Sequence, residues 1–259
     1  MNTGIVAVLQ ARMGSTRYPG KVLAPLRGEP MVAHIMRSMR ALDVDESWLV
    51  TSDKPADDVL VVWARAFGFK VYRGDEHNVY ARFKAVISEA SPDYLVRVCG
   101  DMPLLNVTMS NRLIKDGTQG SYDYGTWCTK SGVPACQTRI GMLPEVVKAE
   151  ALLRVEDSEQ TREHVTYGLY CGHAFSVLGL VMPHDLEGAG VSLSVDHSVD
   201  ADRVAAVVDI CGQIPQNYRQ ITRVLEERPE LRVGGILKPY SGALHVGKSS
   251  GGSQSYPAE

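Results

Sequence analysis

Ile5-Val6-Ala7-Val8-Leu9, running into Gln10-Ala11-Arg12-Met13-Gly14-Ser15-Thr16-Arg17-Tyr18-Pro19-Gly20-Lys21-Val22-Leu23, is the stretch that decides the fold. An unbroken apolar run of this length reads as a strand of a parallel sheet, buried on both faces. The loop behind it is rich in glycine, arginine and lysine, and a helix pattern begins near Glu29. That order places backbone N–H groups and cations at the carboxyl end of a strand, where open α/β sheets bind ligands. Gly14 and Ser15 let the main chain approach phosphate oxygens. Arg12, Arg17 and Lys21 add charge-assisted hydrogen bonds. Neither the P-loop spacing nor the dinucleotide G-x-G-x-x-G pattern is present, because Gly14 and Gly20 are one residue too far apart and Val22 follows Lys21. A solvated basic turn is the competing reading of the loop.

Outward from this stretch, strands and helices alternate. Pro30 to Leu42 repeats apolar residues at helical spacing, with His34 on the buried stripe as a packed histidine. Trp48 to Thr51 is a strand, Pro55 to Phe67 a helix stopped by Gly68, and Phe69 to Tyr72 a strand. Asn78 to Ala90 is a helix and Tyr94 to Val98 a central strand. Four βα units in succession predict a doubly wound, mostly parallel α/β sheet. The pattern is lost from 118 to 140, an irregular excursion of the kind used as a lid, a binding loop or a subunit contact. Beyond it, Glu145 to Arg154 and Ser158 to Tyr170 read as helices. His173 to Met182 and Val191 to Val195 read as strands, with Val199 to Gly212 and Asn217 to Glu227 as helices. The division is a domain over 1–239 and a Ser/Gly-rich flexible tail over 240–259.

Two aspartates stand where strands end, Asp101 in Cys99-Gly100-Asp101-Met102-Pro103 and Asp196 in Val195-Asp196-His197-Ser198-Val199-Asp200. Carboxylates at strand ends beside a phosphate loop suit magnesium, which takes few protein ligands and keeps its waters. Asp101 equally suits a turn cap, and Asp200 suits the first turn of a helix.

The string from Gln10 to Leu23 closely resembles the opening of the spore-coat polysaccharide cytidylyltransferase-like family, relatives of the CMP-ulosonic acid synthetases. The fold it implies is Rossmann-like, of the nucleotide-diphospho-sugar-transferase kind. It also implies that Gln10, Ala11, Arg12, Gly14, Ser15 and Lys21 bind CTP, with Arg12 and Lys21 on the triphosphate and acting in catalysis. Arg97-Val98-Cys99-Gly100-Asp101-Met102-Pro103-Leu104 resembles the family's R-x-x-G-D-x-P-L, and the Asp196 segment its V-D-T-P-E-D. The resemblance makes Asp101 and Asp196 Mg2+ ligands, Asp101 also catalytic, with Asp200 in support. Arg162-Glu163-His164-Val165-Thr166 is identical to the family's R-E-H-V-T and directs Arg162 or His164 to the acceptor. Read as one helix, it places Arg162 and Thr166 on a common face. The segment from Arg73 to Phe83 is also similar, which makes Arg73 and Arg82 nucleotide candidates. Arg139 to Val147 aligns with P-x-G-L-D-V-E-V-F, so Arg139 and Glu145 face the acceptor, and the gained cation and lost acid point to a smaller or more anionic one. The resemblance spans roughly residues 4 to 212.

Composition narrows the alternatives. Of 259 residues, 44% are hydrophobic and 22% charged, the balance of a globular protein, and a net charge of −3 gives no basic field for nucleic acid or a membrane surface. Five cysteines without a C-x-x-C pair point to reduced thiols in the cytoplasm. No leader or membrane-spanning run is evident. The expected reaction is CTP plus a small acidic acceptor giving a CMP-acceptor and pyrophosphate, in a homodimer as the resemblance implies. A sugar acid is the first acceptor reading and a small phosphonate the second. A glycosyltransferase or a nucleotide-binding regulatory module is the alternative outside this class.

Overall fold

The structure, a computed structural model, describes residues 4–120, 122–171 and 174–233. Ile5–Gln10 forms β1, and Pro25–Leu26 and Glu29–Pro30 form a small hairpin, β2 and β3, that leads into α1, Met31–Met39. Then follow β4 (Glu46–Ser52), α2 (Asp58–Ala66), β5 (Lys70–Gly74), α3 (Val79–Ala90), β6 (Tyr94–Cys99) and α4 (Val107–Gln119). The second half contains β7 (Tyr124–Cys128), β8 (Glu145–Lys148), the short helices α5 (Ala149–Leu153), α6 (Glu159–Glu163) and α7 (Tyr167–Tyr170), and β9 (Val177–Val181). It closes with α8 (His184–Gly188), α9 (Ser198–Ile210) and α10 (Tyr218–Glu227).

Seven strands form one sheet in the order β5-β4-β1-β6-β8-β7-β9. β8 runs antiparallel to both its neighbours, and all the other pairs are parallel. The apolar run of β1 is explained by its central place: Ala7 and Leu9 pack into one layer and Val6 and Val8 into the other. The first layer holds α1, α2, α4, α9 and α10 against the sheet, and the second holds α3, α5 and α7. The sheet is therefore doubly wound, as the alternating pattern predicts. Local signals work where they are strong. Asn78 caps α3 by accepting from the Ala81 amide, Gly68 follows α2 at φ 79, and His34 is buried with Nε2 against the Leu26 carbonyl. Among the described residues no helix is long and apolar enough to cross a membrane.

Four elements differ from the sequence reading. Glu145 to Arg154 is not one helix, because Glu145–Lys148 is the antiparallel strand β8 and only Ala149–Leu153 is helical. Val146 packs into one layer and Val147 into the other, a strand alternation that four residues are too few to display. The excursion from 118 to 140 contributes β7, which pairs with β8 and β9. Its Tyr124, Thr126 and Cys128 are buried on one face, which the polar composition concealed. Ser158 to Tyr170 is two short helices, broken at His164, whose backbone leaves the helical region at φ −110 and ψ 75. Val191 to Val195 is extended but forms no named strand; Leu193 donates to the Arg139 carbonyl and Val195 to the Asp101 carbonyl. The tail expected over 240–259 lies outside the described residues, as does His173.

The loop after β1 is fixed from beneath. Asp57, 1% exposed, accepts from the Met13 amide through Oδ1 and from Thr51 Oγ1 and the Ser52 amide through Oδ2. Burial pushes its carboxyl up, but the hydrogen bonds from Ser52, Met13 and Thr51 outweigh this and leave it below the usual range. A lowered folded-state value means that Asp57 stabilises the fold above the unfolded carboxyl value and loses that contribution as pH falls through the folded one. Asp57→Ala is expected to cost about 2–4 kcal/mol by stranding these donors. Urea unfolding at pH 7 and pH 3 checks this: the gap between variant and wild type should shrink at the lower pH.

Candidate active site

The carboxyl ends of β1 and β6 meet through backbone. The Gly100 amide donates to the Gln10 carbonyl at 2.8 Å, and a Cβ on Gly100 would lie 2.9 Å from the Ala11 Cβ. Only glycine lets the Asp101 turn close on the cationic loop. The loop folds on itself, with the Ser15 and Gly20 amides both donating to the Met13 carbonyl, and Lys21 starts a single 3-10 turn.

Lys21 is where the distant segments converge. Its Nζ donates to the Val195 carbonyl at 2.7 Å and lies 3.1 Å from Asp196 Oδ1 and 3.8 Å from Asp101 Oδ2. Arg17 Nη2 also reaches Asp196 Oδ1, at 2.7 Å. Asp101 and Asp196 therefore stand around one point beside the phosphate loop. Among the described residues no three His, Cys, Asp or Glu side chains form a metal cluster. Two carboxylates with the remaining positions open to water and phosphate oxygens fit magnesium, which rarely takes a full protein cage.

Asp196 is held in place by Asp200, at the start of α9. Asp200 Oδ2 accepts from the Asp196 and His197 amides and from Arg139 Nη2, while Oδ1 accepts from Arg203 Nη1. Burial raises its carboxyl, but the Arg203 bond, both amides and the Arg139 charge together keep it low. The helix-terminus reading of Asp200 thus holds, with a second role as the support of Asp196. Arg139, expected on the acceptor, is instead engaged by Asp200.

The other expected residues divide. Gln10 Oε1 accepts from Arg97 Nε at 3.2 Å, Ala11 is buried, Gly14 is exposed and Ser15 is half-buried on the loop. Arg12 pairs with Glu76. Arg73 ties β5 to the turn before α2 through the Ser52 and Lys54 carbonyls and Asp58, so its donors are used in structure. Arg82 is buried beneath the loop. Arg162 and His164 are exposed, Arg162 paired with Asp157, while Thr166 turns inward; the broken helix puts Arg162 and Thr166 on different faces.

Glu145 is 3% exposed, a core residue in place of an open acceptor contact. Its carboxylate takes the Arg97 guanidinium and the Tyr124 and Thr166 hydroxyls. Burial first, then the nearby Cys136 and Glu145, pushes the Tyr124 phenol up, so it stays a donor. This network joins β6 at Arg97, the first residue of β7 and the first residue of β8, reaches Gln10 through Arg97 and holds Thr166 just before α7. Cys99, beside Asp101, is a neutral thiol whose value burial pushes up to about 12. The sequence reading missed Asp57, Glu76 and Tyr124. Asp57 looks like a helix-start acid after Pro55, and Glu76 like a turn residue, so neither carries a distinguishing signal.

Comparisons with known proteins show the family and the fold. A family model described as cytidylyltransferase matches residues 6–177. The spore coat polysaccharide biosynthesis protein SpsF of Bacillus subtilis is 30% identical over 237 residues, 87% of this chain and 95% of that protein. The 3-deoxy-manno-octulosonate cytidylyltransferase of Trichlorobacter lovleyi is 35% identical over 113 residues, 43% of this chain and 44% of that one. The structure of a cytidylyltransferase from Leptospira borgpetersenii superposes with a TM-score of 0.76 at 20% identity, over 89% of this chain and 97% of that one. That of CMP:2-keto-3-deoxy-manno-octonic acid synthetase complexed with CTP gives 0.61 at 18%, over 80% and 99%.

Glu145→Ala leaves a buried, permanently charged Arg97 without its partner. The expected cost is about 3–5 kcal/mol, read as a fall in denaturant midpoint with unchanged m-value; Arg162→Ala, at an exposed pair, should leave the midpoint close to that of wild type.

Proposed function

This chain belongs to the cytidylyltransferase family and is a nucleotidyltransferase, and from that premise we propose that it moves CMP from CTP to an oxygen of a small sugar acid, releasing pyrophosphate. The observation that carries this reading is the meeting of Lys21, Asp101 and Asp196 beside the loop that holds Gly14 and Ser15. The relative named as a 3-deoxy-manno-octulosonate cytidylyltransferase and the related synthetase complexed with CTP support the nucleotide and the acceptor class. A related structure, the Rv0371c protein of Mycobacterium tuberculosis, is a complex with manganese, which supports a divalent ion at the two aspartates.

The residues divide the work. Arg12, the loop amides at Gly14 and Ser15, and Lys21 hold the triphosphate. Lys21, now shared between two carboxylates, turns its ammonium to the phosphate oxygens as they arrive. Asp101 and Asp196 would hold Mg2+, which would supply positive charge to offset that of the phosphates. The acceptor oxygen attacks the α-phosphorus, the bond to the β-phosphate oxygen breaks, and pyrophosphate leaves with the electron pair. No protein nucleophile takes part, and catalysis is positioning and charge stabilisation. One Arg139 nitrogen is held by Asp200, and the relative named as a 3-deoxy-manno-octulosonate cytidylyltransferase makes the sugar acid the preferred class. We place the reaction in the cytoplasm, in a homodimer.

Pyrophosphate release is expected with CTP and magnesium in the presence of a sugar acid, and not with ATP, GTP or UTP. Asp101→Asn and Lys21→Ala should each lower kcat by about 10²- to 10³-fold, and chelation should abolish turnover. CTP binding without release against a panel of sugar acids and phosphonates would overturn the acceptor proposal.

A further inference from the structure

The cations of the phosphate loop are paired with acids of the same chain, and one of these pairs has a feature the others lack. Glu76, in the turn between β5 and α3, reaches back across the loop. Its Oε1 lies 3.2 Å from Arg12 Nη1, and its backbone carbonyl accepts from the same nitrogen at 3.1 Å. The carboxylate also fills the space that a side chain at residue 14 would need: an ideal Cβ on Gly14 would fall 2.1 Å from Oε1. The absence of a side chain at Gly14 thus admits a carboxylate oxygen to the surface of the loop, as it would a phosphate oxygen.

The ground beneath holds a buried cation short of hydrogen-bond acceptors. Arg82, 1% exposed on α3, lies within electrostatic reach of Arg12, Glu76, Asp75 and Asp57. Its Nε and Nη1 are buried and meet no hydrogen-bond partner among the described residues. Buried guanidinium donors without acceptors are rare in native structures and mark a place where an anion belongs. Two arginines therefore face this corner, one paired with Glu76 and one with donors to spare.

We propose that Glu76 is a built-in occupant of the nucleotide phosphate site, a carboxylate that holds Arg12 and the Gly14 surface until a phosphate group displaces it. This rests on the nucleotide reading above and adds a regulation of that site. Displacement moves only the end of one side chain, because the Glu76 carbonyl keeps its own bond to Arg12 and Asp57 keeps the Met13 amide. The apparent affinity for nucleotide is lowered by the fraction of molecules in which Glu76 is seated. The contact also gives specificity: a ligand with one weak negative charge competes poorly with Glu76, whereas a polyphosphate, which engages Lys21 as well, displaces it.

Isothermal titration of the full chain with CTP and with inorganic pyrophosphate, for wild type and Glu76→Gln, tests this. The variant keeps the shape and loses the charge. It should bind both probes about three- to fivefold more tightly at low salt, and the advantage should narrow at about 0.5 M salt as the competing charge is screened. Equal or weaker binding by Glu76→Gln would overturn the proposal, and weaker binding would make Glu76 a ligand of the nucleotide. A gain that does not change with salt would also overturn it, because competition between charges requires that dependence. Wild type that binds neither probe removes the nucleotide reading and this proposal with it; wild type that binds, with no gain in the variant, removes this proposal alone.

Discussion

Lys21 lying between Asp101 and Asp196 is the contact on which the rest of the site depends. It brings a loop after the first strand, the end of the central strand and the segment entering α9 to one point. Each is fixed by hydrogen bonds to main-chain groups: the loop by the Met13 carbonyl and by Asp57 accepting from the Met13 amide, the Asp101 turn by the Gly100 amide, and residue 195 by its N–H donating to the Asp101 carbonyl. Charges so concentrated at one end of a sheet repel one another unless counter-charges are placed among them. Here the opposing charges are interleaved, so they offset one another.

The two layers of the sheet divide the labour. α1 and α9 lie in the layer that carries the loop's end and the Asp196 segment, and their packing sets where Asp101 and Asp196 stand. The other layer buries Glu145 with Arg97, Tyr124 and Thr166, and through Arg97 it reaches Gln10. A buried ion pair of this kind adds little net stability by itself, since desolvation offsets its attraction. Its value here is geometric, because Glu145 has hydroxyl donors besides Arg97 and so fixes the directions of β6, β7 and α7 at the rim. The antiparallel β8 supplies that carboxylate, so the one strand that breaks the parallel order joins the two halves of the site.

Much of this was legible because the decisive signals were local. The β1 run, the glycine-rich cationic loop and the caps of α2 and α3 each act over a few residues, and the structure follows them. What was not legible depended on tertiary partners. β8 and β7 are short strands whose pattern is too brief to separate from helix or loop, and only pairing in the sheet decides them. Arg139 and Glu145 share the motif that suggested an acceptor role, yet their partners Asp200 and Arg97 come from other segments. An arginine in a motif does not reveal whether it faces a ligand or a neighbouring acid. The same holds for Arg73, whose carbonyl partners leave it no free role.

The interleaved acids also bear on how affinity and turnover are balanced. If Arg12, Arg17 and Lys21 met no acids before substrate, their mutual repulsion would open the loop, and each binding event would have to order it again. Pairing them with Glu76, Asp196 and Asp101 keeps the loop formed but obliges the nucleotide to replace existing contacts. The exchange is nearly even in charge, so binding gains less than the bare count of cations suggests. That serves catalysis, because an enzyme gains rate from interactions that strengthen in the transition state and not from tight ground-state binding. Under the proposed function Lys21 fits this requirement: its ammonium is shared with two carboxylates, and its full effect would be felt as negative charge builds on the departing pyrophosphate.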